Sequence, residues 1–359
     1  MKNSKINLTS DKMRLEYKNK FDGNLIYGAK TFHKKTNRSG KGKPSSGYLT
    51  REHSFVVEDT KVDRYKRSEN DWEEVKKCPV CHSPKKNFFI TRFALDIYTC
   101  ENCSHKYMNP RIKFNVVENL YKDDKTASDI YTEKTQIEID KVKYNYGLEI
   151  IENLIDKNFN KIMDIGCGAG VFLQEASKRG WKTCVGIDIN ERYSDIYDKE
   201  KNVQFINRTF ENLTNKDIGK NYDCIALWSV LEHLYDLNKI VKTIKSLLNK
   251  NGLLFILVPN VESLATNLMR EMSPTFNWKH VSHFSPKSLV KLMELNGLSC
   301  IFHETVITEI DNIKSYMNGA FPYHGYGDPN NKFDFISSEF IHANMLGSRQ
   351  IAVFKKNDT

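Results

Sequence analysis

From Lys161 onward, short apolar runs alternate with longer stretches whose apolar residues recur every three or four positions. "KIMDIG" (161–166) reads as a strand, and "VFLQEASKRG" (171–180) as a helix that Gly180 stops. "KTCVGID" (182–188), "VQFIN" (203–207) and "DCIALWSV" (223–230) read as the next three strands. "LNKIVKTIKSLLNKNG" (237–252) puts Leu237, Ile240, Val241, Ile244, Leu247 and Leu248 on one inward face and is predicted to end at Asn251-Gly252. "LLFILVP" (253–259) is a fifth strand. Ser285 caps a helix with Pro286 at its first position and Gly297 at its end, and "LSCIFHETV" and "RQIAVFK" close the series. Strands alternating with amphipathic helices predict an α/β fold, a doubly wound, mainly parallel sheet covered on both faces.

Upstream the pattern changes. Residues 113–157 read as helical, with Leu148, Ile151, Leu154 and Ile155 of "YGLEIIENLIDK" on one face. Residues 71–112 carry two cysteine pairs. Residues 1–70 are polar, with "TNRSGKGKPSSG" (36–47) as a flexible stretch and "SFVVEDTKV" as one candidate strand. The expected organisation is therefore a basic N-terminal segment (1–70), a cysteine module (71–112) and an α/β domain (113–359).

Charge sharpens the first boundary. Residues 1–70 hold 17 Lys and Arg against 8 Asp and Glu, which accounts for the whole net charge of +9. Such an arm is either a solvated tail or a grip on nucleic acid or another anionic surface. No apolar run is long enough to span a bilayer, and the lysine-bearing N-terminus lacks the apolar core of a secretory signal. A cytoplasmic location is the expectation.

Of eight cysteines, Cys78, Cys81, Cys100 and Cys103 form C-x2-C-x18-C-x2-C. Two such knuckles bring four thiolates to a tetrahedral Zn2+, and a filled shell leaves no position for reactive water, so this zinc would fold the module and not catalyse. His82 and His105 are adjacent but surplus. Cys167, Cys184, Cys224 and Cys300 are scattered, the last three in segments that read as strands.

The chemistry centres on "IMDIGCGAG". Gly166, Gly168 and Gly170 follow a strand and open a helix, where a chain without Cβ atoms turns tightly and approaches a ligand closely. The G-x-G-x-G form is shorter than the G-x-G-x-x-G of pyrophosphate binders. Asp164 before it suits a cationic amino acid. Asp188, 22 residues after Gly166, ends the next strand and can accept both hydroxyls of a ribose. An amino acid plus a ribose without phosphates describes S-adenosylmethionine.

Residues 161–306 resemble class I S-adenosylmethionine-dependent methyltransferases, which have a Rossmann-like sheet. The resemblance rests on "DIGCGAG", "GIDI", "YDCIALWSVLEHL", "LLNKNGLLFILVPN" and "HVSHFSPKSLVKLMELNGL", in that order. It implies that Asp164, Gly166, Gly168 and Gly170 hold the methionine part and Asp188 the ribose. Phe210 is placed against the adenine or in the core, and Trp228 and Ser229 beside the sulfonium. Candidate bases are Glu232, His233, His280 and His283; Glu232 and His233 are equally readable as caps of the next helix. Some methyltransferases with an "EH" pair and a later histidine hold a divalent metal. Glu232, His233 and His280 resemble part of that set, with Ser229 where an acid is expected.

"CENCSHKYMNPR" resembles the second half of a zinc ribbon fused upstream of bacterial small-molecule methyltransferases, with Ser104 in place of a glycine. This likeness, over residues 74–306, implies a small-molecule acceptor such as a nucleotide-linked sugar of surface-polysaccharide or natural-product pathways. The aromatic insert 311–349, with Tyr316, Tyr323 and His324, stands where such enzymes place a lid. An RNA methyltransferase, using the basic arm and ribbon to hold phosphates, and a non-catalytic binding module are the alternatives.

Overall fold

The computed structural model describes residues 71–92, 95–122, 124–155, 159–194, 203–213, 218–310, 313, 317 and 336–357. The basic segment 1–70, its candidate strand and flexible stretch, and Tyr316, Tyr323 and His324 lie outside the described residues.

The cysteine region contributes β1 (Trp72–Glu73), β2 (Lys86–Arg92), β3 (Leu95–Cys100), β4 (Lys106–Met108) and β5 (Arg111–Ile112). The stretch expected to be helical is three helices: α1 (Phe114–Lys122), α2 (Lys125–Tyr131) and α3 (Lys134–Leu154). Leu148 and Ile151 of α3 are fully buried, while Leu154 and Ile155 are half-buried at its end.

The α/β series follows as β6 (Lys161–Ile165), α4 (Val171–Lys178), β7 (Thr183–Asp188), β8 (Val203–Asn207), β9 (Tyr222–Trp228) and α5 (Leu237–Leu247). It continues as β10 (Leu248–Pro259), α6 (Leu264–Met269), β11 (Ser282–His283), α7 (Pro286–Leu295), β12 (Leu298–Val306), α8 (Ser338–Ala343) and β13 (Arg349–Lys356). Seven strands form one sheet in the order β12-β13-β10-β9-β6-β7-β8. β13 runs antiparallel to both its neighbours, and the remaining pairings are parallel.

The period of two along each strand sorts side chains between two cores. Met163, Ile165, Ile225, Leu227, Leu254 and Ile256 face α5 and α7, in the same cluster as Cys78, Cys100 and Cys103. Ile162, Cys184, Cys224, Trp228 and Phe255 face α3 and α4. The cysteine region therefore shares a core with one face of the sheet.

One boundary differs from its expectation. The helix read to Gly252 stops at Leu247, and Leu248 already pairs with Tyr222 in the sheet. The ladder has a shift between Leu248 and Leu253, and Gly252 fits there because a Cβ would lie 2.6 Å from the Tyr222 carbonyl oxygen. The side chains of Asn249 and Asp223 bond to each other across this bend. Sheet pairing outcompetes the last helical turn. A second difference is β11, too short to show as a pattern, which adds to β4 of the cysteine region in a four-stranded sheet β11-β4-β3-β2.

Candidate functional site

At the C-terminal edge of the sheet, β6 runs into the glycine turn. Gly166, Gly168 and Gly170 have φ of 74°, 50° and 75°, the left-handed region that side chains disfavour. The Gly166 and Cys167 N–H groups both donate to the Ile187 carbonyl, at 2.7 and 3.0 Å. A Cβ on Gly166 would strike Val230 Cγ2 at 2.4 Å; one on Gly168 would meet nothing nearer than Tyr193 Cζ at 4.0 Å. Gly166 is thus required by packing, and Gly168 by its backbone conformation at an open cavity.

Asp188 closes the turn. Its Oδ2 accepts the Gly168 N–H at 2.9 Å and its Oδ1 the Asn190 N–H at 2.8 Å. Each oxygen keeps acceptor capacity for a hydroxyl. Burial raises the Asp188 pKa, and these N–H bonds offset only part of the rise. Asp164, beneath the turn, is buried with Oδ1 unpartnered, and burial together with Asp188 pushes its pKa well up. Glu211 carries a second orphaned carboxylate oxygen and, like buried Phe210, lines the cavity.

The cavity, about 340 Å³, runs from this turn to His233 and Lys279 without interruption. Trp228 and Ser229 line it. The Trp228 ring is anchored on Tyr144 and Phe255, with centroids 4.8 and 4.6 Å away, and Gly147 leaves room for it, since a Cβ there would lie 2.4 Å from the indole. Ser229 has φ 57° and donates its N–H to the Leu257 carbonyl at 2.8 Å, turning the chain towards Glu232 and His233.

At the far end, His233 Nδ1 lies 2.8 Å from the Lys279 carbonyl oxygen and 3.1 Å from the Tyr121 hydroxyl. A carbonyl only accepts, so Nδ1 carries the proton and Nε2 the lone pair. His280 repeats this arrangement through Nδ1 and the Thr275 carbonyl, at 2.8 Å. Burial pushes the His233 pKa down to about 4, against the raising effect of the Lys279 and Ser229 carbonyls. Burial and the neighbouring His233 and His283 drive His280 well down. Both rings are neutral at pH 7. Glu232 is buried with neither carboxyl oxygen hydrogen-bonded, Oε1 lying 3.9 Å from His233 Nε2, and burial lifts its pKa to about 8. The structure brings Glu232, His233 and His280 together, with one ligand atom from each inside 4.8 Å of the others. His233 reaches the cavity wall. His283 is buried behind the set, 6.4 Å from His280 between ring centroids.

The four cysteines also converge. Cys78 and Cys103 Sγ are 3.5 Å apart, as are Cys81 and Cys100 Sγ. A tetrahedron with Zn–S bonds of about 2.3 Å has S–S edges of about 3.8 Å, so the thiols already stand close to the spacing one ion needs.

A family model described as a methyltransferase domain matches residues 140–303. This stretch is a methyltransferase domain. The chain is 22% identical over 174 residues to the ubiquinone biosynthesis O-methyltransferase of Vibrio parahaemolyticus, covering 45% of this chain and 72% of that one. It is 28% identical over 172 residues to that of Bartonella tribocorum, covering 45% and 66%. Among solved structures, a SAM-dependent methyltransferase from Archaeoglobus fulgidus aligns over 68% of this chain and 100% of its own, at 18% identity and a TM-score of 0.44. No helix among the described residues is long and apolar enough to cross a membrane.

Several cavity residues were not legible in the sequence. Phe114, Tyr121, Asp124 and Tyr131 come from α1, α2 and the turn between them, upstream of the matched stretch. Lys279, one residue before His280, bonds Asp124 at 3.1 Å. No motif marks these positions. Asn190 was findable: two residues after Asp188, it caps the next turn by accepting the Arg192 N–H.

Proposed function

We propose that this protein transfers the methyl group of S-adenosylmethionine to a hydroxyl of a small ring-shaped acceptor held beside His233. The observation that carries this reading is a single cavity joining the Gly166–Gly170 turn and Asp188 to a neutral histidine. The residues fit the cofactor: Gly168 leaves open space, Asp188 offers two acceptor oxygens, and Asp164 has an orphaned buried oxygen towards which a cationic group would be drawn. Bound there, S-adenosylmethionine supplies an electrophilic methyl carbon. Asp188 holds the ribose hydroxyls, Phe210 and Glu211 flank the adenine, and Trp228 and Ser229 shape the floor near the sulfur.

His233 acts as the base. Its Nε2 takes the acceptor hydroxyl proton while the Lys279 carbonyl holds Nδ1–H and fixes the tautomer. Tyr121, kept protonated because burial raises its pKa well above the usual range, and the ring of Tyr235 shape the acceptor wall. A hydroxyl acceptor agrees with the O-methyltransferase names of the relatives. A second reading has its own observation: Glu232, His233 and His280 are spaced to hold one divalent cation that would bind acceptor hydroxyls. The Cys78, Cys81, Cys100 and Cys103 set is assigned to structural zinc in a ribbon-like module.

The test is calorimetric titration with S-adenosylhomocysteine, then turnover on two acceptor panels, catechols and nucleotide-linked sugars, with and without added divalent cation. Binding of the nucleoside with methylation of either panel supports the reading, and the productive panel names the acceptor class. Absence of nucleoside binding removes it.

A further inference from the structure

We propose that Asn238 is a positioning residue, through which, together with Val281, the four-cysteine module holds the Glu232–His233–His280 cluster in place. The inference rests on the reading of that cluster as the acceptor end of a methyltransferase site. It concerns a residue that touches neither cofactor nor acceptor.

Asn238 is a buried polar side chain on α5, 9% exposed, in a helix whose buried face is otherwise apolar. Its Nδ2 donates to the Pro79 carbonyl at 2.8 Å and the Val80 carbonyl at 3.2 Å. Its Oδ1 accepts from Asn296 Nδ2 at 2.9 Å. Pro79 and Val80 are the two residues between Cys78 and Cys81, so this one amide clamps the first knuckle onto the start of α5. His233 lies five residues upstream, joined to α5 by a segment whose Leu234 and Leu237 pack in the same core cluster as Cys78, Cys100 and Cys103.

The second knuckle is tied to the other half of the cluster. Three residues after Cys103, β4 pairs with β11 in the register Tyr107 to Ser282 and Lys106 to His283. The Met108 N–H donates to the Val281 carbonyl at 3.1 Å, and the Val281 N–H donates to the Glu232 carbonyl at 3.0 Å. Val281 directly follows His280. One residue, Val281, therefore joins the module, the His280 segment and the Glu232 segment in series. Each knuckle thus grips one of the two chain segments that carry the cluster. The glycine turn is held instead by the Ile187 carbonyl within the sheet. Loosening the module should free the acceptor end and leave the cofactor end intact. An apolar residue at position 238 would pack into α5 equally well but would take the donor from the buried Val80 carbonyl and the half-buried Pro79 carbonyl, a cost that makes this asparagine specific to the clamp.

The test compares zinc-reconstituted full-length protein with its Asn238→Ala variant by hydrogen–deuterium exchange and by S-adenosylhomocysteine calorimetry. Exchange should accelerate tenfold or more in peptides covering 229–236 and 278–284, stay unchanged in 162–170, and leave nucleoside affinity within twofold. Should the variant fail to fold, wild-type protein stripped of zinc by a chelator serves as the second arm, with the same peptides expected to loosen. Exchange at 229–236 and 278–284 equal to that of the loaded wild type overturns the proposal. So does a uniform rise that includes 162–170, which would make Asn238 merely structural. Failure of wild-type protein to bind the nucleoside would overturn the methyltransferase reading alone, because the exchange comparison still reports whether the clamp exists.

Discussion

The two ends of the cavity are built on opposite principles. The end proposed to hold the cofactor is local and made largely of backbone: a five-residue turn, the Ile187 carbonyl that anchors it, and one carboxylate, Asp188, held by two N–H groups. The end proposed to hold the acceptor is assembled from side chains at 121–124, 232–235 and 279–280, brought together by long-range contacts. Burial pushes the pKa of Asp164 and Asp188 up at the first end; at the second the Glu232–His233–His280 cluster is uncharged at pH 7, beside the Lys279–Asp124 ion pair. A ligand common to all members of a fold can be read by backbone geometry, whereas the acceptor that distinguishes one enzyme is read by side chains free to vary.

The sharpest break in this comparison comes from His233→Gln. Turnover should fall by ~10²–10⁴-fold, the usual contribution of a positioned base. Calorimetric affinity for S-adenosylhomocysteine should stay within about twofold, because Asp188 and the glycine turn are untouched. Unchanged turnover would remove the base assignment.

Asp188→Ala is the mirror experiment. Each hydrogen bond to a charged group contributes ~1.5–3 kcal/mol, so losing the ribose contacts and the tie to Gly168 should weaken nucleoside binding by ~10²-fold or more. Isothermal titration measures this directly. A variant that binds as wild type would place the ribose elsewhere.

The pH dependence of cation uptake sharpens the acceptor end. Burial raises Glu232 to about 8, so below pH 8 a divalent ion must expel its proton, while His233, near 4, offers no competition above pH 5. Affinity for Mn2+ at this cluster should therefore rise with pH, by roughly tenfold per unit up to about 8, and then level off. Electron paramagnetic resonance titration of zinc-loaded protein follows it; a flat profile would mean that Glu232 is not a ligand.

Gly166→Ala is the smallest effect and tests packing against the cofactor end alone. A Cβ 2.4 Å from Val230 Cγ2, at a φ of 74°, costs ~1–3 kcal/mol. Thermal denaturation should show that loss, and adding Val230→Ala should recover the steric part while the backbone part remains. No recovery would place the whole penalty in the backbone.

Legibility followed the same divide. Strand β6, the glycine turn, α4 and β7 were readable because apolar period, Gly placement and a terminal acid coincide within 28 residues, Lys161 to Asp188. The boundary at Leu247 was not, because its pattern remains helical until pairing with Tyr222 takes over. Glu232, His233 and His280 could be named as candidates from their likeness to a family. That they meet was visible only once β11 docked on β4, and Tyr121 and Lys279 carried no signal at all.

By itself, the amino-acid sequence determined the mainly parallel α/β framework, the cysteine knuckles and the glycine turn. Each depends on residues spaced a few positions apart, where chain geometry converts spacing directly into shape. Only the tertiary structure decided the acceptor end and its anchoring through Asn238 and Val281. Burial, tautomer and orphaned carboxyl oxygens are properties of what surrounds a side chain, and those surroundings come from segments as far apart in the chain as Lys106 and His283.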